Sequence, residues 1–231
     1  MYIDVPFNKK KHTLELQDVG LTSLYIADCN ALTSMAIILG RELEQKELEL
    51  RAKNYALNME NLWSKSFGGY LNYRTDVDSL STRVSPTMFY PLLARIGTQD
   101  QQGKILEHFY NSDEFYGDWM LPSTTRNDPT FSRQRYWKGA IWPPLNFLTY
   151  LSLREAGFND AATELSEKSL KLIMTEWKRK GYVSENYSAI TGTGDDERLS
   201  SDRFHSWGAL FGIMAFIENG FLPKPESLIV E

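Results

Sequence analysis

The chain has 231 residues, 42% of them hydrophobic, a net charge of −5 and one cysteine. That is enough to bury one sizeable core, with a single domain as the default at this length. No run of five or more basic residues occurs, which argues against a nucleic-acid footprint or a polybasic membrane anchor; Cys29 alone excludes an internal disulfide and a Cys-based metal cluster.

No stretch approaches the ~18 consecutive apolar residues expected of a membrane span, and the opening MYIDVPFNKKKH lacks the apolar core of a signal peptide. The expectation is a soluble chain, cytoplasmic or periplasmic, without a metal or cofactor.

Helical spacing begins at Val19, Leu21, Leu24 and Tyr25, continues through Leu32, Met35, Ala36 and Leu39, and stops at Gly40. Cys29 falls inside this pattern as a small core residue. A second helix is predicted over 42–62, through Leu43, Leu48, Leu50, Tyr55, Met59 and Leu62, making an antiparallel hairpin with a very short connection. Further pairs are predicted at 86–96 with 99–110 and at 138–156 with 160–178. A last helix is predicted over 202–218, with Ser200 or Ser201 as its N-cap. Apart from short stretches such as Tyr70–Tyr73, no alternating strand pattern appears.

A Gly-aromatic segment follows each pair: Gly68–Tyr73, Gly117–Leu121 and Gly181–Tyr187. The chain therefore reads as degenerate repeats of hairpin plus long loop, each roughly 50–60 residues, in the range of helical-repeat arrays. Stacked hairpins form an open solenoid or a closed toroid. Loops recurring after every second helix would emerge at one end, lined with Trp, Tyr, Asp, Glu and Arg, and long ordered loops tend to be functional. Aromatic residues make up 13% of the chain; rings concentrated in loops suit stacking on the flat, weakly apolar face of a sugar.

The densest chemistry lies in Trp119–Asn146. Two readings stand for it. In one, Trp137 and Trp142 wall a sugar pocket while Lys138 or Arg126 donates to hydroxyls. In the other, the loop is rigid and packed, with Trp142 in the core. Pro143-Pro144 falls near the start of its helix, where proline is tolerated. In Tyr182–Tyr187, Glu185 sits between aromatics, where partial burial can hold and tune a carboxyl. Cleaving a glycosidic bond requires two carboxyl groups, one protonated and one ionised. Asp195, Asp196 and Glu197 read as a solvated turn. His205 and Trp207 would occupy the first turn of the last helix, where a histidine bonds a sugar hydroxyl or serves the structure. His12 and His108 offer no metal-ligand spacing with His205.

Leu121–Phe131 (LPSTTRNDPTF), Tyr136–Asn146 (YWKGAIWPPLN) and Ser184–Tyr187 (SENY) resemble glycoside hydrolase family sixty-three, which includes processing α-glucosidases and mannosylglycerate hydrolases. Ser201–Leu210 resembles the family's final inner helix. Residues 1–8 and 16–29 are similar to the stretch after its acid-bearing loop. The resemblance implies an (α/α)6 toroid and an inverting mechanism in which an Asp is general acid and a Glu general base, the carboxyls roughly 6.5–9.5 Å apart.

Carried over, the base is Glu185. The sugar-contacting set is Trp137, Lys138, Trp142, Tyr136, Trp119, Arg126, Asn186, Tyr187, His205 and Trp207, with Lys138 standing where the family more usually has arginine. The family's acid motif has no match; Asp4 falls after it. The resemblance implies twelve helices, and the spacing yields seven. The expectation is all-α: an incomplete (α/α)6 toroid of helical hairpins with long aromatic-rich loops at one end. Residues 1–231 would be the C-terminal portion of a glycosidase catalytic domain, binding carbohydrate and completed by a missing N-terminal half. A non-catalytic carbohydrate-binding or scaffold protein and a sugar epimerase on an α-toroid are the alternatives. An epimerase would want more histidines near the loops.

Overall fold

The computed structural model describes residues 4–224, so the first three residues of the opening segment lie outside it. Helices account for about half of the described residues, and they fall into two compact units, residues 4–82 with 88–105 and residues 83–87 with 106–224.

The first unit begins with short strands β1 (Phe7–Asn8), β2 (Thr13–Leu14) and β3 (Leu16–Gln17). Helix α1 (Val19–Ile38) follows, started by Asp18, whose side chain accepts from the Leu21 amide at 2.6 Å. Asn72 accepts from the Val19 amide at 2.8 Å and takes up a second orphan donor of that helix end. A short turn leads into α2 (Glu42–Met59), antiparallel to α1 and ending three residues before the expected Leu62. The chain tightens there into a 3-10 turn, Glu60–Leu62.

Four more two-residue strands, β4 (Trp63–Ser64), β5 (Gly69–Tyr70), β6 (Tyr73–Arg74) and β7 (Ser79–Leu80), fold the long loop. β4 pairs with β5, and β6 lies between β3 and β7, all antiparallel. These pairings are too short to give an alternating pattern, so the sequence shows only the Tyr70–Tyr73 stretch. The helix expected over 86–96 is a 3-10 turn, Pro86–Phe89, followed by the one-turn helix α3 (Tyr90–Leu93). Two prolines in six residues remove the amide donors a longer helix requires. Helix α4 (Gln99–Tyr110) contributes residues to both units.

Cys29 is buried on α1, as its helical position suggested. The rest of α1 corrects an expectation. By length and composition the helix is apolar enough to cross a membrane, and less than a third of its apolar window is buried. Leu21, Met35 and Ile38 of α1 and Leu39 just after it are exposed, as are Leu43, Leu50 and Leu57 of α2. The last three repeat every seven residues, a stripe of the kind that seats another helix.

In the second unit α5 (Pro143–Glu155), α6 (Asn159–Lys180) and α7 (Leu210–Glu218) pack on one another. α5 starts at Pro143, five residues later than the spacing suggested, because proline at the first helical positions forfeits only amides that have no helical partner. α7 is shorter than expected as well. Residues 202–205 are extended or turn, and a 3-10 turn Ser206–Ala209 precedes the helix. Its cap is His205, not Ser200 or Ser201, since Ser201 is bonded to the backbone of Asn186 instead.

The three helices share a polar lock. Glu218 of α7 accepts from the Tyr150 hydroxyl at 2.5 Å, pairs with Arg154, and accepts from Thr163 of α6 at 3.1 Å. Burial and the Glu218 carboxylate push the Tyr150 phenol up to about 12. Replacing Glu218 with Gln leaves Arg154 without a counter-charge in a largely buried place. Urea denaturation of Glu218→Gln is expected to show a loss of roughly 1–3 kcal/mol; wild-type stability would mean that water replaces the carboxylate at no cost.

Candidate active site

Three segments of the second unit are laid side by side. Ile141 and Tyr187 exchange both backbone bonds, at 2.7 and 3.0 Å, and Ile141 also forms a bridge with Pro122. Ser184 lies opposite Arg203 in a second antiparallel bridge whose bonds are made by the flanking residues, Glu185 N–H donating to the Asp202 carbonyl at 2.9 Å and Phe204 N–H to the Val183 carbonyl at 2.8 Å. The Trp-rich block, the Glu185 segment and the approach to α7 are thereby joined into one backbone layer.

Glu185 lies at the edge of this layer with its side chain 15% exposed. One carboxylate oxygen sits 3.4 Å from the Asp202 amide, and the other 3.9 Å from Nε2 of His205. Nδ1 of His205 accepts from the Trp207 amide at 3.4 Å. In a neutral ring the proton is then on Nε2, the atom facing Glu185. The His205 ring meets Trp207 edge-on at 5.0 Å, and Trp207 meets Trp142 at 6.2 Å. Trp142 is stacked on Trp137 at 4.0 Å and meets Tyr136 edge-on at 4.9 Å. A carboxylate, an imidazole and four aromatic rings thus form one contiguous array. Such a carboxylate retains free lone pairs to accept a proton, beside apolar faces of the kind that suit stacking on a sugar.

The residues expected to contact sugar divide into two groups. Tyr136 and Trp207 are exposed, and Trp137, Lys138 and His205 are half-buried. Trp142, Asn186 and Tyr187 are fully buried, so their surfaces are already covered by protein. Trp142 is a core residue that backs the Trp137 ring, its indole N–H donating to the Tyr136 carbonyl at 3.0 Å. Asn186 donates to the Ser200 carbonyl at 2.7 Å, and the Tyr187 hydroxyl accepts from the Ser184 amide at 3.1 Å. Burial pushes the Tyr187 phenol up to about 12.

Arg126 is likewise a clasp, donating to the carbonyls of Tyr116 at 2.8 Å and Trp119 at 2.6 Å. Trp119 is half-buried and lies flat on Gly192, where a Cβ would come within 2.3 Å of the indole and φ is +69°. Only glycine fits beneath that ring.

Other important residues carry weaker sequence signals. Phe204, beside His205, is highly exposed and leans on Tyr182. Asn146 is fully buried on α5; its side-chain oxygen accepts from the Leu121 amide, and its nitrogen donates to the Leu121 and Trp142 carbonyls at 3.1 and 3.0 Å. Gln134, also buried, accepts from the Ala189 amide at 2.7 Å. The signal for Asn146 is an amide side chain amid apolar neighbours, whereas Gln134 sits between two arginines and carries none. Among the described residues, no group of three or more His, Cys, Asp or Glu is placed to hold a metal ion.

The acidic run after Glu185 is only in part a solvated turn: Asp195 and Glu197 are exposed, but both aspartates are ion-paired. Asp195 accepts from Arg179 at 2.7 Å and lies 2.9 Å from Lys180, while Asp196, nearly buried, pairs with Arg198 at 2.5 Å. The hydrogen bonds from Arg179 and from Arg198 hold the carboxyls of Asp195 and Asp196, respectively, well below the usual range. Glu176 of α6 is fully buried. It takes bonds from Lys180 at 2.5 Å, the Gly194 amide at 2.8 Å and Arg179 at 2.8 Å. Burial alone would raise its carboxyl, but these donors outweigh burial and lower it.

A family model for the mannosylglycerate hydrolase MGH1-like glycoside hydrolase domain matches residues 6–207. A mannosylglycerate hydrolase of Thermus thermophilus is 24% identical over 188 residues, covering 80% of this chain and 43% of the relative. A mannosyl-oligosaccharide glucosidase of Saccharomyces cerevisiae is 30% identical over 121 residues, 46% of this chain and 14% of that protein. Among solved structures, the GH63 mannosylglycerate hydrolase from Thermus thermophilus in complex with glucose matches with a TM-score of 0.74 and 24% identity, over 87% of this chain and 48% of that one. The neutral trehalase of Saccharomyces cerevisiae matches with a TM-score of 0.70 and 19% identity, over 91% and 40%. These likenesses show a shared helical fold, and this chain spans less than half the length of each of the four.

Glu176 and Asp196 bind protons less readily in the fold than in the unfolded chain. Their contribution to stability is therefore complete above the ordinary carboxylate value of about 4 and is withdrawn as pH falls through their lower folded values. Thermal melts between pH 6 and pH 3 are expected to show a falling midpoint, with a shallower fall in Glu176→Gln. Identical slopes in the two proteins would show that Glu176 is not linked to acid unfolding.

Proposed function

The chain belongs to the family of mannosylglycerate hydrolase MGH1-like glycoside hydrolase domains, within glycoside hydrolase family sixty-three, and on that premise we propose that it is the base-bearing part of an inverting hydrolase acting on α-linked glucose or mannose. The carrying observation is the placement of Glu185, a carboxylate with little hydrogen bonding beside His205 and Trp207. In this reading Glu185 removes a proton from water as the water oxygen bonds to the anomeric carbon. The glycosidic bond breaks on the opposite face, and its oxygen leaves with a proton from the general acid. Trp137 and Trp207 stack on the sugar, Tyr136 and Lys138 border it, and His205 steadies the base.

By resemblance the acid is an aspartic acid in polypeptide that this chain does not contain, and the (α/α)6 toroid is completed by the same polypeptide. Two observations support that reading. The chain matches less than half of the Thermus structure, and the exposed apolar faces of α1 and α2 suit further helices.

Co-produced with the polypeptide encoded immediately upstream, the chain is expected to release sugar from mannosylglycerate or an α-glucosyl oligosaccharide; alone it should release little. Glu185→Gln should lower kcat by about 10²–10⁴-fold or more. Proton NMR of the first product should show the β-anomer, and retention of the α-anomer would sink the inverting mechanism. Sugar binding without turnover in the reconstituted protein would favour a carbohydrate-binding role instead.

A further inference from the structure

Downstream of Glu185 the chain makes a compact loop, residues 188–196, one end of which is tied to a buried carboxylate of α6 through the Gly194 amide. Glu176 is not part of the aromatic array, yet it is the most completely buried acid of the second unit. Its Oε2 takes both the Gly194 amide and the Lys180 ammonium, and its Oε1 takes the Arg179 guanidinium. Both cations reach on to Asp195. Two basic residues of the last turn of α6 are thus shared between a carboxylate of that helix and one of the loop. A buried charge held by three donors, one of them a backbone amide, fixes direction as well as position.

The held loop presses on the Glu185 segment. A Cβ built on Gly194 would come within 2.1 Å of Ser184 Oγ and 2.4 Å of Ser184 Cβ, so the Gly194 backbone lies against the Ser184 side chain with no space for a side chain of its own. The Ser188 amide donates to the Thr193 carbonyl at 2.9 Å, and the Ser188 hydroxyl accepts from the amides of Ile190 and Thr191 at 3.3 and 3.2 Å. On the far side, residues 200–204 pair with 183–186. Glu185 therefore stands on a strip pinned from two sides, and Glu176 supplies one of the pins.

We propose that Glu176 is a positioning residue of the site: with Lys180, Arg179 and Asp195 it clamps the loop 188–196 against Ser184, and so sets the direction of the Glu185 carboxylate. This rests on the reading of Glu185 as the base, but the clamp itself is testable without turnover. It also gives a purpose to the acidic run, whose residue types read as an ordinary turn. The ion pairs of the loop are anchors, and the glycine between them is kept bare by Ser184.

The test uses the full chain and four variants: Glu176→Gln, Gly194→Ala, Ser184→Gly and the Ser184→Gly/Gly194→Ala double. Hydrogen exchange read by mass spectrometry should rise about tenfold over residues 184–196 in Glu176→Gln and in Gly194→Ala, with α5 and the α1–α2 hairpin unchanged. The double variant should return to wild type because the room the new methyl needs has been made. The Glu185 carboxyl carbon resonance, identified by its loss in Glu185→Gln, should move in Glu176→Gln and Gly194→Ala and return in the double variant.

Unchanged exchange in Glu176→Gln overturns the clamp. A uniform rise across the unit shows a purely stabilising role and overturns it too, as does a Glu185 resonance that stays put while the loop loosens. If Glu176→Gln does not fold, the glycine pair decides alone, and absence of rescue in the double variant counts against the proposal. Failure of Glu185 as the base appears separately, in the hydrolysis assay of Glu185→Gln.

Discussion

Ile141 and Tyr187 are 46 residues apart and exchange two backbone hydrogen bonds. The side chains that matter lie on either side of that contact. Trp137 and Trp142 flank Ile141, and Glu185 precedes Tyr187 by two positions. Each bond contributes only about 1 kcal/mol net. Their consequence is register: a slip of one residue in such a pair turns every side chain to the opposite face. Glu185 would then point into the core or away from the rings. The full burial of Ile141, Trp142 and Tyr187 makes such a slip costly. The prolines at the start of α5 cooperate, since they stop the helix from extending back through Ile141.

Polar groups inside the second unit follow one plan. Asn146, Gln134, Arg126 and Glu176 are each spent on backbone groups of loops that have little regular structure to satisfy them. A long loop pressed against a helical core leaves buried amides and carbonyls, and each unpaired one costs more than a formed bond returns. Side-chain amides and a guanidinium supply the missing partners. Four of the ten residues expected to meet sugar, Arg126, Trp142, Asn186 and Tyr187, hold the loops in this way. Their polar groups are largely taken up within the protein.

The same physics explains what was legible in the sequence. The hairpins α1–α2 and α5–α6 were readable because apolar periodicity and turn glycines report burial of a helix face directly. The start of α5 was misread because Ala140, Ile141 and Trp142 are apolar in an extended segment as they would be in a helix, and periodicity cannot separate the two over so short a run. The two-residue strands were invisible for want of length. Near Glu185 the residue types pointed to a candidate site, but not to which side chains are buried and bonded within it. Asp195 and Asp196 look solvated from composition, because their partners Arg179 and Arg198 are visible only once the loop is folded. The cap at His205 was missed because Ser201 suits a cap equally well, and a distant backbone claimed it first.

A carboxylate that accepts a proton from water must stay ionised, and it must be denied partners that would hold its lone pairs too well. Glu185 has one long contact to an amide and one distant imidazole, while Glu176, nine residues earlier, is saturated with donors. On the proposed assignment, the contrast separates two duties of the same residue type within one short stretch of chain. Saturation makes Glu176 a poor base and a good anchor, because its lone pairs are occupied and its proton affinity is lowered. Sparse bonding leaves Glu185 free to receive a proton, at the cost of a less certain direction. The aromatic rings supply no hydrogen bonds to correct that direction, so it must come from the backbone on which Glu185 stands. If Glu185 is the base proposed above, rigidity of the strip between Ile141 and Arg203 is therefore a requirement of the chemistry as well as of the fold.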